Sequence, residues 1–199
     1  MASGDVRGFV EIASDEVRHH PARLLGMGLF WAWLQIVFTS PSLTPPTPFI
    51  PLVIASSQHQ VWIASLFVTL VTFVGILTLR KAIPDAWSSW ALYGGHFAMA
   101  AGALCLGAAA WGGSMALAWA GVVGTGLGSA LAFLAWGDHL ARLEPRRVLF
   151  DMACYSFLTA IFFGVVMLVP SEAVLAAAVA LPVLAGVLLV RANRLTPPA

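Results

Sequence analysis

Residues 124–151 read GTGLGSALAFLAWGDHLARLEPRRVLFD. The stretch opens as an apolar, glycine-spaced run that ends at Trp136. It then passes through Asp138, Arg142, Glu144, Arg146 and Arg147, and turns apolar again after Asp151. Two apolar segments around a short charged connection form the pattern of a helical hairpin that crosses a bilayer twice and turns among the headgroups.

Composition extends that reading to the whole chain. Of 199 residues, 60% are hydrophobic and 10% charged, and the mean hydropathy is +0.89. A soluble domain carries about 25% charged residues, so this chain lacks the polar groups to cover a surface in water. It reads as an integral membrane protein. A span needs roughly 20 mostly apolar residues, and six segments qualify, at about 22–40, 60–79, 88–110, 114–136, 147–169 and 171–190. None alternates with period two, and backbone satisfaction in lipid then leaves helices. The expected fold is all-α, a polytopic bundle of six transmembrane helices. Residues 1–21 form an N-terminal segment, 22–190 the membrane domain and 191–199 a tail or linker.

All ten basic residues fall in connections on one side of these spans: Arg7, Arg18 and Arg23, then Arg80 and Lys81, then Arg142, Arg146 and Arg147, and lastly Arg191 and Arg194. By the positive-inside rule that side is cytoplasmic, and an even number of spans puts both termini there. The expected location is a bacterial inner membrane. A net charge of +1 spread over several connections gives no nucleic-acid footprint. The mixed charges of the N-terminus do not match a cleaved secretory signal. Phe9, Val10, Ile12, Ala13 and Val17 have a loosely amphipathic spacing that suits an interfacial helix. On the charge-poor side, PSLTPPTPFIPLVIASSQHQ joins the first two spans, and its FIPLVI either caps an outward cavity or is plain surface loop. The other two connections on that side are short. Spans three and four, and spans five and six, are therefore expected to be tight antiparallel hairpins.

Gly94, Ala98 and Gly102 in the third span, and Gly124 and Gly128 in the fourth, stand four apart. Small residues at this spacing let helix backbones approach, either as a static hairpin or as a moving seam. His96 is the one ionisable side chain deep in a span. It either lines a ligand pocket or is a neutral imidazole bonded to a neighbour, the second being the default for a lone histidine. Trp31, Trp33 and Trp119 lie toward the charge-poor half, and with Gln35 they could line an apolar cavity for a small apolar or aromatic ligand. Asp151, one turn inside the fifth span, is in reach of Arg147 on the same face. Gly137, Asp138, Arg142, Arg146, Arg147 and Asp151 are read together as a signalling loop or simply an anchor to anionic headgroups. Cys105 and Cys154 sit in apolar runs as small buried hydrophobes. No Ser/His/Asp set, pair of buried carboxylates, phosphate-cradling loop or metal cluster is visible. The expectation is no enzyme, no cofactor and no metal.

Gly137, Arg142, Arg146, Arg147 and Leu149 resemble the cytoplasmic motif of major facilitator transporters, with Ala141 at its acidic position and Glu144 at its second glycine. The wider stretch GTGLGSALAFLAWGDHLARLEPRRVLF is similar to the glycine-rich fourth span, the terminal W-G and the L-x-P-R connection of actinobacterial LuxR-type regulators. The early FWAW and the late VPSEAVLAAAVALPVLAGVLLVRA also resemble the first half of that group. The resemblance implies a major-facilitator-like six-span half, with a second half and a helix-turn-helix domain beyond this segment. It implies a sensor or regulatory role without direct nucleic-acid contact by these residues. A half-transporter that pairs with a second six-span unit is the alternative, and a scaffold without a ligand is a third.

Overall fold

The computed structural model describes residues 11, 13–46, 56–79 and 87–195, with residues 87–92 described by backbone alone. Six long helices dominate: α1 (Pro21–Thr39), α2 (Ser57–Leu79), α3 (Trp87–Gly112), α4 (Met115–Ala141), α5 (Pro145–Met167) and α6 (Ser171–Leu195). Each is long and apolar enough to cross a membrane, and no strand occurs among the described residues. The shortest, α1, has 19 residues, or about 28 Å at about 1.5 Å per residue, which matches a hydrocarbon core of about 30 Å.

Local chemistry sets the helix ends. Pro21 and Pro145 occupy the first turns of α1 and α5, where a missing N–H loses nothing. Ser40 precedes Pro41 in extended conformation (φ −79°, ψ 123°), since a residue before proline avoids the helical region. A 3-10 turn (Pro41–Leu43) follows, anchored by the fully buried Leu43. Between α3 and α4 the chain reverses at Gly113, whose φ of +65° suits glycine, and Ser114 caps α4 by accepting from the Leu117 N–H.

The tightest pairing is α3 against α4. A Cβ on Gly102 would lie 2.5 Å from Thr125 N, and one on Gly128 would lie 2.6 Å from both Gly95 O and Met99 N. A Cβ on Gly124 would lie 2.9 Å from Gly102 Cα and 3.2 Å from Ala98 O. The expected hairpin of spans three and four is therefore present. Gly94 is a correction: a Cβ there would meet nothing within 4 Å, and the adjacent Gly95 takes its place. The expected hairpin of spans five and six is a second correction. The turn between α5 and α6 is short, but the two helices make few contacts, because α1 packs extensively on both. Gly28 of α1 lies against Leu158 of α5, and Gly26 lies against Leu188 of α6 and Trp136 of α4. The first span is thus the centre of the bundle, and α2 packs on α4 at its flank.

One side-chain bond holds α1 to α6 for a specific reason. Pro182 lies inside α6 and has no N–H, so the carbonyl of Ala178 loses its helical donor. Trp33 Nε1 donates to that carbonyl at 2.7 Å. The ring itself is fully buried. In lipid an unmatched backbone carbonyl is costly, so Trp33 repairs a defect that Pro182 creates.

The outer helices α2 and α5 present Phe67, Leu70, Val74, Phe157 and Val165 to the surroundings, each more than half exposed. Soluble monomers rarely expose such contiguous apolar faces. These faces are the lipid-facing surface of a multi-pass membrane protein.

Candidate functional site

The interior features that could do more than pack lie at opposite ends of α1. The first is a cavity of about 570 Å³ between α1, α2 and α4. It forms because α2 leans on α4 and touches α1 little. Trp31, Gln35 and Phe38 line it from α1, Gln58, Trp62, Leu66 and Thr69 from α2, and Ser129 and Phe133 from α4. Thr39, Gln58 and His59 sit at its mouth, where α1 ends and α2 begins. Thr69 and Ser129 lie 12 and 14 residues into their helices, so the cavity reaches about 18–21 Å from that end, near the middle of the bilayer.

Hydroxyl bonds hold the rear of this cavity. Ser65 and Thr125 face each other at 3.0 Å, and the Thr69 hydroxyl lies 2.9 Å from both Gly126 O and Ser65 O. Gly126 permits that approach, since a Cβ there would sit 2.6 Å from Ser65 O. Interhelical hydroxyl bonds of this kind are a main source of association inside a bilayer. Two polar atoms of cavity-lining residues are left over. Trp31 Nε1 and Ser129 Oγ are shielded from solvent and have no hydrogen-bond partner among the described residues. A furrow of similar volume on the outer face of α3 and α6, lined by Leu104, Leu175, Val179 and Val183, is shallow and almost wholly apolar.

The second feature is an ion cluster at the arginine-rich end. Residues 13–19 are helical and lie against α1 and α5. Glu16 is fully buried and pairs with Arg23 of α1 and with Arg147 of α5, the latter at 2.8 Å. Arg23 Nε lies 2.8 Å from Asp151 Oδ2, both side chains being almost completely buried, and Arg147 also reaches Asp15 at 3.2 Å. Arg23 Nε and the Asp151 oxygens are not aligned for hydrogen bonding, so that contact is Coulombic. Nearby, His139 Nδ1 donates to Asn193 Oδ1 at 2.6 Å, tying α4 to α6.

Several sequence expectations are redistributed by this geometry. Of the expected ligand residues, Trp31 and Gln35 line the cavity. Trp33 does not, being committed to Ala178. His96 is buried at the α3–α6 interface with its ring on Gly186, and Trp119 is an exposed residue on α4. Asp151 pairs with Arg23 instead of the expected Arg147, which turns to Glu16 and Asp15. The expected loop is mostly helix: Gly137 and Asp138 belong to α4, and Arg146, Arg147 and Asp151 to α5, which leaves Arg142 in the connection. Asp138 and Arg142 form an exposed ion pair. In the N-terminal helix Glu16 faces inward and Val17 is 57% exposed. Glu16 and Asp151, which flank Arg23, are a pair of buried carboxylates that the sequence reading did not find. The FIPLVI segment, with Phe9, Val10 and Ile12, lies outside the described residues.

Six apolar helices around a buried core define a multi-pass helical membrane protein. No protein-family model matches the chain, and no curated protein or solved structure matches it.

Proposed function

We propose that this chain is a membrane-embedded sensor domain of a bacterial inner membrane, with both termini in the cytoplasm, and the N-terminal half of a LuxR-type regulator. The observation that supports the ligand-sensing part is the cavity of about 570 Å³ between α1, α2 and α4, lined by Trp31 and Gln35 with its mouth at Thr39, Gln58 and His59. A ligand that enters from the charge-poor side would seat against Trp31 and Gln35. Arg23 lies 12 residues before Gln35 on the same rod, about 18 Å away at about 1.5 Å per residue. A small tilt of α1 therefore acts on the ion cluster and, through Arg147, on the connection to α4. Such coupling requires the ligand to bind one tilt better than the other.

A thermal-shift screen of small apolar and aromatic compounds tests this reading. Stabilising compounds are expected, and Leu66→Trp, which fills the cavity, should abolish their effect. Compounds that stabilise both proteins alike would sink the proposal. A half-transporter is the second reading. It draws on the exposed flanks of α2 and α5, which a second six-span unit could cover. Ligand uptake into vesicles that depends on the chain would favour it over a sensor.

A further inference from the structure

We propose that the furrow between α3 and α6 binds a membrane lipid with a primary-ammonium headgroup, its acyl chain laid along α6 and its ammonium against Glu172. The proposal is independent of the ligand-sensing reading, because the furrow and the interior cavity share no residue.

Glu172 stands apart in the charge pattern. The connections at the charge-poor end, with the helix turns beside them, contain a single Asp, Glu, Lys or Arg, and it is Glu172. It lies in the first turn of α6, where a carboxylate suits the helix dipole. It is exposed, and no ion pair or hydrogen bond engages it among the described residues. All ten Lys and Arg belong to the opposite end, so a fixed counter-charge for Glu172 comes from outside the chain.

The furrow begins at this carboxylate. Glu172, Ala176, Ala180 and Leu184 stand four apart and share one face of α6, with Leu104 across from them on α3. The two alanines keep the row hollow. Beneath it α3 and α6 close up, since a Cβ on Gly107 would lie 2.5 Å from Leu175 Cδ1. The hollow has a volume of about 590 Å³. From Glu172 to Leu184 the helix rises about 18 Å at about 1.5 Å per residue, a little more than half of a hydrocarbon core of about 30 Å. The furrow is therefore one leaflet deep, with its charge at headgroup level. Leu104, Val183 and Leu184 on its rim are each about half exposed, so it opens sideways to the acyl chains. Trp111, 66% exposed and one turn beyond Gly107 on α3, lies near the same level as Glu172, where an indole face also attracts a cation.

Charge selects among the possible occupants. An anionic headgroup would meet Glu172 as a like charge. A second copy inserted in the same sense would bring only another Glu172 to this level. A quaternary ammonium has the charge but no N–H. A primary ammonium donates as a lysine does, and its hydrogen bond to a carboxylate is charge-assisted.

Photo-crosslinking of the full chain in phosphatidylcholine nanodiscs tests this. The probes are phosphatidylethanolamine, phosphatidylcholine and phosphatidylglycerol, each with the same diazirine-bearing acyl chain. Peptide mass spectrometry counts adducts on residues 175–184 of α6 relative to residues 157–165 of α5, an ordinary lipid-facing stretch. The ratio should be roughly three- to fivefold higher for the ethanolamine lipid than for the other two, the upper range for an exposed ion pair. Glu172→Gln should bring it down to the choline value. Ala180→Phe, which fills the hollow, should also lower it. Equal ratios for the three headgroups would overturn the proposal and leave an ordinary lipid face. An ethanolamine excess that survives Glu172→Gln would overturn the role of the carboxylate, and one that survives Ala180→Phe the role of the furrow. An excess shared by choline would overturn the primary ammonium. Adducts on α5 with none on residues 175–184 would mean that another chain covers this face, which also overturns the proposal.

Discussion

Arg23 of α1 and Asp151 of α5 meet at 2.8 Å in a site from which both side chains exclude solvent. Burying a charge pair is expensive, and removing one partner is worse than never having had the pair, because the other is left uncompensated. Arg23→Gln would leave the buried Asp151 without its paired cation, while Glu16 would keep only Arg147. The expected loss is about 3–5 kcal/mol, read as a lower unfolding midpoint in detergent. The exposed Asp138–Arg142 pair is the control. Its removal should change stability by about 1 kcal/mol or less.

The glycine seam makes a sharper contrast. Gly102→Val should separate α3 from α4, because its Cβ would stand 2.5 Å from backbone nitrogen that cannot move aside. A loss of about 3 kcal/mol or more is expected, at the upper end for overpacking. Gly94→Ala, with open space around it, should be neutral or slightly stabilising. Thermal melts of the two proteins decide this, and equal melting would contradict the helix register.

Trp33 and Pro182 should be energetically coupled. Trp33→Phe removes the donor to Ala178 O and should destabilise by about 1–3 kcal/mol. In a Pro182→Ala background the new N–H supplies that carbonyl from within α6, so Trp33→Phe should lose much less. A double-mutant cycle measures the coupling. Additive single effects would mean that the Trp33 bond does not compensate for the proline.

Orientation is open to direct measurement. With Cys105 and Cys154 replaced by Ala, Ala141→Cys reports the arginine-rich end and Gly112→Cys the opposite one. A membrane-impermeant maleimide should label Gly112→Cys in intact spheroplasts. It should reach Ala141→Cys only in inverted vesicles. The reverse pattern would place the termini outside.

The six spans were legible because length and apolarity in a bilayer leave few alternatives. Their ends shifted where polar residues continue a helix past the hydrocarbon, as at Gly137–Ala141 in α4 and Arg191–Leu195 in α6. The glycine seam was one residue off at its first position only, since Gly94 and Gly95 are adjacent and spacing alone favours neither. Two of the five residues expected at a cavity, Trp31 and Gln35, do line one. Trp31 and Gln35 are four apart and share a face, whereas Trp33 lies on the far side of the helix and meets α6. Pro182, a helix breaker in the middle of an apolar run, was the available signal that some donor must be supplied from elsewhere. The ion cluster was out of reach. It joins Glu16 to Arg147, 131 residues apart, and only the central position of α1 brings them together.

That central position also bears on biosynthesis. Of the six helices α1 leaves the ribosome before the others, yet α6, which forms one of its walls, begins only about 130 residues later, on the order of ten seconds at about 5–20 residues per second. During that interval α1 is a span with a buried arginine and an incomplete surround. Glu16, seven residues upstream of Arg23, is the one partner in the buried pair of contacts already made by then. It can neutralise the arginine while Asp151 is still to be translated. The local pair is thus available to the arginine from the start of synthesis, and the distant carboxylate completes the site only once the fifth helix is made.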